Sequence, residues 1–178
     1  MVYHKGVNAG VRPEDRYLSI NNTNTQTDSV IMLNDTAPTS SVVTLYANSA
    51  VNSSNDTYVM YCFSEVEGYS KFGSYTGNGN ADGTFVFTSF RIAWLLVKRT
   101  DDSKSWVLWD NKRDPHNLAA NDLYPNRSDA ENALSNNEVD FLSNGFKIRN
   151  SASTINGNSG TFIYLAFAES PFKNARAR

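Results

Sequence analysis

The sequence predicts an all-β protein: an antiparallel β-sandwich of jelly-roll-like architecture, with an internal duplication and little helix. Segments rich in β-branched and aromatic residues alternate with clusters of Asn, Asp, Ser, Gly and Pro, which favour turns. Apolar residues make up 40% of the 178 residues and charged residues only 19%, so a sizeable core can form. Many short strands joined by frequent turns are typical of sandwiches and barrels.

Nine segments carry the strand pattern. They are residues 29–33, 42–46, 57–65, 83–88, 92–100, 106–110, 138–142, 146–150 and 161–169. The helical signal is weak. Ser128 is followed by Glu131 three positions later, a capping-box pattern that predicts one or two helical turns over residues 128–134. The rest of the polar residues 111–137 are predicted to form a surface excursion.

The second half of the chain repeats the pattern of the first. Residues 51–65 match residues 155–169 without a gap at an offset of 104, and Asn, Thr, Phe and Glu are identical at matched positions. Two shorter matches lie upstream: residues 18–22 with 123–127 at an offset of 105, and residues 2–3 with 108–109 at an offset of 106. Three matches in the same order predict a duplication.

The duplication predicts four parts of the chain. They are a first repeat truncated at its start (residues 1–72), a Gly- and Asn-rich connector (73–84), a second repeat (85–173) and a basic tail (174–178). Residues 85–100 of the second repeat have no counterpart in the first, and a sheet that lacks edge strands exposes unpaired backbone groups. Another subunit or a further part of a longer protein then supplies the pairing, or both repeats share one set of strands.

Composition argues against several classes of protein. The formal net charge of −2 does not favour nucleic-acid binding, and no apolar run reaches the ~20 residues of a membrane helix. The single cysteine, Cys62, precludes an internal disulfide and is predicted to be a small buried side chain in a strand.

No catalytic residue and no cofactor is predicted. His4 and His116 are the only histidines, and the nucleophile motif Gly-x-Ser-x-Gly does not occur. Glu65 and Glu169 occupy matched positions, so they suggest either a glycosidase carboxylate pair or a structural role in pairing with Lys or Arg. The structural role is favoured, because a duplication places equivalent residues at equivalent positions without bringing them together.

One loop resembles a calcium site. Asn78, Asn80 and Asp82 offer oxygen ligands at alternate positions before a glycine, as hard cations prefer. The acidic residue that would close the loop is absent, since Ser89 stands at the twelfth position. A connector between the repeats is the favoured interpretation.

Five residues are candidates for contact with a ligand or partner protein: Tyr75, Trp109, His116, Tyr124 and Arg127. Aromatic faces can stack on sugars, and the excursion offers an irregular polar surface for recognition. Core packing is the alternative for Tyr75 and Trp109, and a plain surface histidine is the alternative for His116.

Four phrases of the sequence are specific enough to compare with known families: EVEGYSKFGSYTGNG (65–79), FRIAWLLVKRTD (90–101), DFLSNGFK (140–147) and FAESPFK (167–173). They resemble a family of unknown function found in tail and tail-fibre proteins of tailed bacteriophages, especially marine ones. The resemblance implies a non-enzymatic virion structural protein, assembled in the cytoplasm of a host bacterium. Its implied partners are other virion proteins, copies of itself with a trimer favoured, and a host glycan or outer-membrane protein.

The position in the virion stays open at this point. A tail fibre or tail-associated protein is favoured, and a capsid decoration or cement protein that stabilises the head is the alternative. Two rivals of another class are a carbohydrate-binding lectin module and a polysaccharide depolymerase.

Overall fold

The computed structural model describes residues 1–131 and 137–170. Its strands are β1 (Arg16–Tyr17), β2 (Thr27–Asp28), β3 (Ser70–Thr76), β4 (Phe85–Phe87), β5 (Ile92–Arg99), β6 (Val107–Asp110), β7 (Val139–Leu142), β8 (Gly145–Ile148) and β9 (Thr161–Ala168). Its helices are two short 3₁₀ helices, Val7–Gly10 and Pro13–Asp15, and one turn of α-helix, α1 (Ser153–Asn156). The predicted all-β class is therefore confirmed.

The central layer is a four-stranded antiparallel sheet in the order β3-β9-β5-β6. β9 lies inside it, paired with β3 on one edge and with β5 on the other; Ala166, for example, lies opposite both Lys71 and Leu95. β5 and β9 carry apolar residues at consecutive positions, the pattern of strands that are covered on both faces.

A three-stranded sheet in the order β4-β8-β7 covers one face of the central sheet. The main core fills the space between the two sheets. Its members include Leu95, Val97, Trp109, Phe162 and Tyr164 from the central sheet, and Val86, Val139, Phe141, Phe146 and Ile148 from the smaller one. This two-layer packing is the predicted sandwich.

The first part of the chain covers the other face of the central sheet. Val7 and Leu18 are buried against Trp106 and Ile163, and the Trp106 indole donates a hydrogen bond to the Ser19 carbonyl at 2.9 Å. Lys98 adds a second link, because its buried Nζ lies 3.3 Å from the Thr23 carbonyl oxygen. Burial lowers the pKa of Lys98 to about 8.

The predicted strands differ sharply between the two halves. Each of the six segments predicted after residue 80 overlaps one strand, β4 to β9. The predictions for residues 29–33, 42–46 and 57–65 were wrong, since none of them forms a strand. The helix predicted over residues 128–134 is not formed at residues 128–131, and its remaining residues lie outside the described chain.

Three strands were not predicted: the two-residue strands β1 and β2, and the seven-residue strand β3. β3 begins inside the predicted first repeat and continues into the predicted connector, crossing the boundary at residue 72. The division into repeats stays a prediction, and one observation bears directly on it. Val2 forms an isolated antiparallel bridge with Leu18, and the matched residues Leu108 and Leu123 form the same bridge. Equivalent pairs of residues thus make equivalent contacts, as a duplication predicts.

Candidate assembly surface

The most exposed apolar part of the described chain is residues 57–65, called here the apolar segment. It has no regular secondary structure, and it lies within an unbroken run of exposed residues from 54 to 67. Val59 and Tyr61 are 79% and 80% exposed, and Met60 and Phe63 are 59% and 60% exposed. Monomeric proteins rarely leave such a continuous apolar run in water, and where it occurs it marks an interaction surface.

The backbone of the apolar segment also pairs with no strand of the described chain. Among the described residues, none of its N–H groups donates to another backbone group. Its hydrogen bonds involve side chains: the Tyr58 hydroxyl donates to the Ser49 carbonyl at 2.8 Å, and the Ser70 hydroxyl donates to the Ser64 carbonyl at 3.0 Å. Unpaired backbone groups next to apolar side chains form a template for an added strand.

The C-terminal end of the segment is anchored. The Glu65 carboxylate lies 2.9 Å from Lys5 Nζ and accepts a hydrogen bond from the Phe72 N–H at 3.1 Å. Partial burial opposes ionisation, but the hydrogen bonds from Lys5 and Phe72 outweigh it and lower the pKa of Glu65. A tight turn follows, with Val66 bridged to Ser70. The segment is therefore anchored to β3 at its C-terminal end.

The matched strand β9 has the opposite surroundings. Phe162, Ile163, Tyr164 and Ala166 are at most 3% exposed, and both edges of β9 are paired. By the offset of 104, the apolar segment carries the same pattern of apolar side chains. Cys62, matched to Ala166, is exposed, so its predicted burial was wrong. One residue pattern is thus fully covered in the second half and uncovered in the first.

A family model matches residues 1–171. The chain belongs to the family described as Domain of unknown function (DUF7483). No curated protein and no solved structure shows a significant match to it. Within the described residues, none of the helices has the length and apolar character needed to cross a membrane.

Two predicted contact residues of this DUF7483 member lie in its core. The Tyr75 ring stacks on Phe162 with 4.9 Å between centroids, and its hydroxyl donates to the Ile155 carbonyl at 2.7 Å. Trp109 has no exposed surface, and its indole N–H donates to the Asn137 carbonyl at 2.9 Å. Burial raises the pKa of Tyr75 well above its usual 10. The structure thus supports core packing for both and leaves neither free for a ligand.

The other three contact candidates lie nearer the surface. His116 is exposed in the loop after β6. Arg127, also exposed, lies over the half-buried Tyr124 ring at 4.9 Å from its centroid and pairs with Asp129. The Tyr124 hydroxyl is held by the Asn137 side-chain amide at 2.9 Å. Tyr124 and Arg127 therefore form a fixed surface pair, and their role in binding stays a prediction.

The calcium-loop candidates use their oxygens within the protein. Asn78 Oδ1 accepts from the Asn80 N–H at 3.0 Å and from Asn156 Nδ2 at 2.9 Å, and Asn80 Oδ1 accepts from the Asp82 N–H at 2.9 Å. The Asp82 carboxylate lies 2.8 Å from Lys147 Nζ. Among the described residues there is no group of three acidic, His or Cys side chains that could hold a metal. This arrangement favours the connector over the metal site.

Asn156 holds that connector, although no pattern in the sequence indicated this role. The fully buried Asn156 side chain reaches Asn78, Asn80 and Asn150. Its match in the first half, Asn52, is exposed. Asn156 precedes Gly157 and Asn52 precedes Ser53, and both pairs indicate a turn, so only the neighbouring loop distinguishes the buried residue from the exposed one.

A cavity of about 510 Å³ forms a second surface feature that the sequence did not indicate. Arg91, Asn111, Lys112, Pro115 and Glu169 line it. Glu169 is paired with Arg91 at 3.2 Å, as Glu65 is with Lys5. Each matched glutamate thus has a basic partner, which is the structural role favoured over a glycosidase pair.

Proposed function

We propose that this chain is a non-enzymatic structural protein of a tailed-phage virion, in the tail or tail fibre, that joins neighbouring proteins through its apolar segment. The observation that carries the proposal is the continuous exposure of apolar, strand-forming residues at 57–65. An enzyme positions exposed polar groups in a cleft, whereas an assembly protein presents apolar side chains for burial against a partner.

The exposed area is large enough to form the centre of an interface. Tyr58, Tyr61 and Phe63 are 45%, 80% and 60% exposed, so with ~200 Å² per aromatic side chain they present about 370 Å². A standard interface covers roughly 800 Å² on each partner. The three rings thus account for nearly half of that area before Val59, Met60 and the backbone are added.

The virion assignment is supported by the resemblance of four phrases of the sequence to phage tail proteins. The non-enzymatic part is supported by the two histidines. His4 is buried with its Nδ1 accepting from the Gly6 N–H at 2.9 Å, and burial lowers its pKa to about 4. His116 is on the surface, in a different loop. Neither histidine has a nucleophile hydrogen-bonded to it among the described residues.

Immunogold labelling of phage particles tests the proposal. Antibodies raised against the purified chain are expected to label the tail or its fibres. Label on the head would instead indicate a capsid decoration protein, and particles free of label would contradict a virion role. Glycan-array binding or release of reducing ends from capsule by the purified chain would favour the lectin or the depolymerase.

The oligomeric state is a separate part of the proposal. A trimer of this 19.8-kDa chain is favoured, because closed symmetric assemblies are usual for homo-oligomers. Light scattering on the purified chain gives the mass directly. A mass three times that of the single chain would support the trimer, and the mass of a single chain would contradict it.

A further inference from the structure

The pairing of β9 indicates which kind of strand suits the apolar segment. β9 is bordered by β5, whose residues Leu95, Leu96 and Val97 lie opposite Ala166, Leu165 and Tyr164. β5 is apolar at consecutive positions, so it covers side chains on both faces of the sheet. In an extended conformation, Tyr58 and Met60 lie on one face of the apolar segment, and Val59 and Tyr61 lie on the other. The segment is therefore likewise apolar on both faces.

The described chain does not provide such a strand for the segment. β5 is occupied on both edges, by β9 and by β6. β3 contacts the end of the segment through side chains: the Phe72 ring lies 6.1 Å from the Phe63 ring, and the Ser70 hydroxyl donates to the Ser64 carbonyl. The Phe72 N–H donates to the Glu65 side chain, and no ladder of main-chain hydrogen bonds joins β3 to residues 57–65 among the described residues. The partner of residues 57–65 therefore comes from another polypeptide segment.

Charge adds a second criterion for that partner. The apolar segment is bordered by acidic residues, Asp56 at its start and Glu65 at its end. β5 is bordered by basic ones, with Arg91 before it and Lys98 and Arg99 at its end. In the antiparallel register of β5 and β9, Arg99 lies opposite Phe162 and Glu169 pairs with Arg91. The same register would bring basic ends to Asp56 and Glu65.

We propose that residues 57–65 accept an antiparallel β-strand with the chemistry of β5, supplied by another polypeptide. That strand is apolar at about five consecutive positions and basic at both ends, and it adds to the segment through main-chain hydrogen bonds. The inference rests on the proposed assembly role and specifies its partner. In the register of β9, the residue opposite Cys62 is the one equivalent to Leu95.

Cys62 makes the register measurable, because it is the only cysteine and is exposed. Paired residues on antiparallel strands have Cα atoms ~4.5–5.5 Å apart, within the range that a disulfide spans. The probe is a peptide of residues 90–101 carrying Leu95→Cys. The matched control is the same peptide with Leu96→Cys, whose thiol lies on the opposite face. Both are incubated with the chain in a glutathione redox buffer.

The Leu95→Cys peptide is expected to form the mixed disulfide in at least tenfold higher yield than the control peptide. Tyr61→Glu in the chain places a charge on the covered face and is expected to abolish this preference while the melting temperature stays the same. Equal yields for the two peptides, or no mixed disulfide with either, would overturn the inference. A disulfide-linked Cys62–Cys62 dimer whose yield does not fall when excess peptide is added would also overturn the inference. It would indicate that the segment's partner is a second copy of this chain.

The outcome is separable from that of the labelling experiment. Tail label without a register preference would leave the assembly role in place and remove the β5-like partner. A register preference without label on any particle would leave the strand acceptor in place and remove the virion role.

Discussion

β9 and the apolar segment have closely matched residue patterns in opposite surroundings. β9 lies inside a sheet with covered faces and paired edges, whereas residues 57–65 form no strand and are exposed throughout. Thr, Phe and Glu are identical at matched positions, and the remaining apolar side chains differ modestly in size. The comparison shows that β-branched and aromatic residues permit a strand but do not create one, because a strand is stabilised by its neighbours.

The two halves form the same contact where both residues of a matched pair are present. The Val2–Leu18 bridge has N–H to carbonyl distances of 2.7 and 2.9 Å, and the matched Leu108–Leu123 bridge has 2.9 Å in both directions. Divergence begins where the second half has β5 and the first half has no equivalent strand. The difference between the halves thus lies in the available partners, and matched substitutions can measure it.

The largest expected difference is between matched positions of the two segments. Ile163→Ala empties a fully buried position and is expected to lower the free energy of unfolding by about 2–5 kcal/mol. Val59→Ala, at the matched position, is 79% exposed and is expected to change it by less than about 0.5 kcal/mol. Urea unfolding of both variants gives the comparison. Equal losses would mean that the segment is covered in the isolated chain.

The second comparison uses the matched asparagines. Asn156 Nδ2 lies 2.8–2.9 Å from three oxygens, and its Oδ1 accepts from the Asn78 N–H at 3.0 Å. Asn156→Ala leaves these groups without their partner, and at ~1 kcal/mol per hydrogen bond we expect a loss of about 2–3 kcal/mol. Asn52→Ala is expected to cost less than about 0.5 kcal/mol. Faster proteolysis within residues 77–83 in the Asn156 variant, but not in the Asn52 variant, would show that Asn156 holds this loop in place.

The strands that could be predicted are those whose own residues show the strand pattern. Ile92–Arg99 and Thr161–Ala168 are long apolar runs between turn residues, and each became a strand. β3 was missed because four of its seven residues are Ser, Lys or Gly, which give a weak strand signal, and its pairing with β9 decides its structure. Residues 57–65 carry the strongest strand signal of the first half, yet they pair with no strand of the described chain.

The site residues show the same limit. Trp109 could equally have been a surface ring or a core ring, and the deciding contact, the Asn137 carbonyl, is 28 residues away in the sequence. Tyr75 is decided by Phe162 and Ile155, which are further still. The exposure of the apolar segment could not be predicted from its own composition, because the absence of a covering strand is a property of the whole fold.

Acid stability provides a third comparison, between the two histidines. Burial lowers the pKa of His4 from its usual 6.5 to about 4. The unfolded chain therefore binds more protons than the folded chain between these values, so stability falls as the pH drops from 6.5 to 4. At 1.36 kcal/mol per pH unit, the loss at pH 4 is expected to be about 3 kcal/mol.

His4→Gln is expected to remove this slope between pH 6.5 and 4, and His116→Gln, which changes the exposed histidine, is expected to retain it. Urea unfolding at half-unit pH intervals measures both. A slope that persists in the His4 variant would assign the acid sensitivity to other groups and would contradict the burial of His4 as its cause.

The smallest expected effects are at the matched glutamates, where both halves have a basic partner. The Lys5–Glu65 pair has side chains 56% and 42% exposed, and the Arg91–Glu169 pair has side chains 44% and 18% exposed. Exposed ion pairs contribute ~0–1 kcal/mol, so Glu65→Gln and Glu169→Gln are each expected to lower the free energy of unfolding by less than about 1 kcal/mol. Glu169→Gln should cost more, because its carboxylate is less exposed to water.

The Coulombic part of both losses should shrink in 1 M NaCl, where charges are screened within ~3 Å. If Glu65→Gln instead cost more than Ile163→Ala, the apolar segment would be an integral part of the isolated fold, and its exposure would not indicate a missing partner.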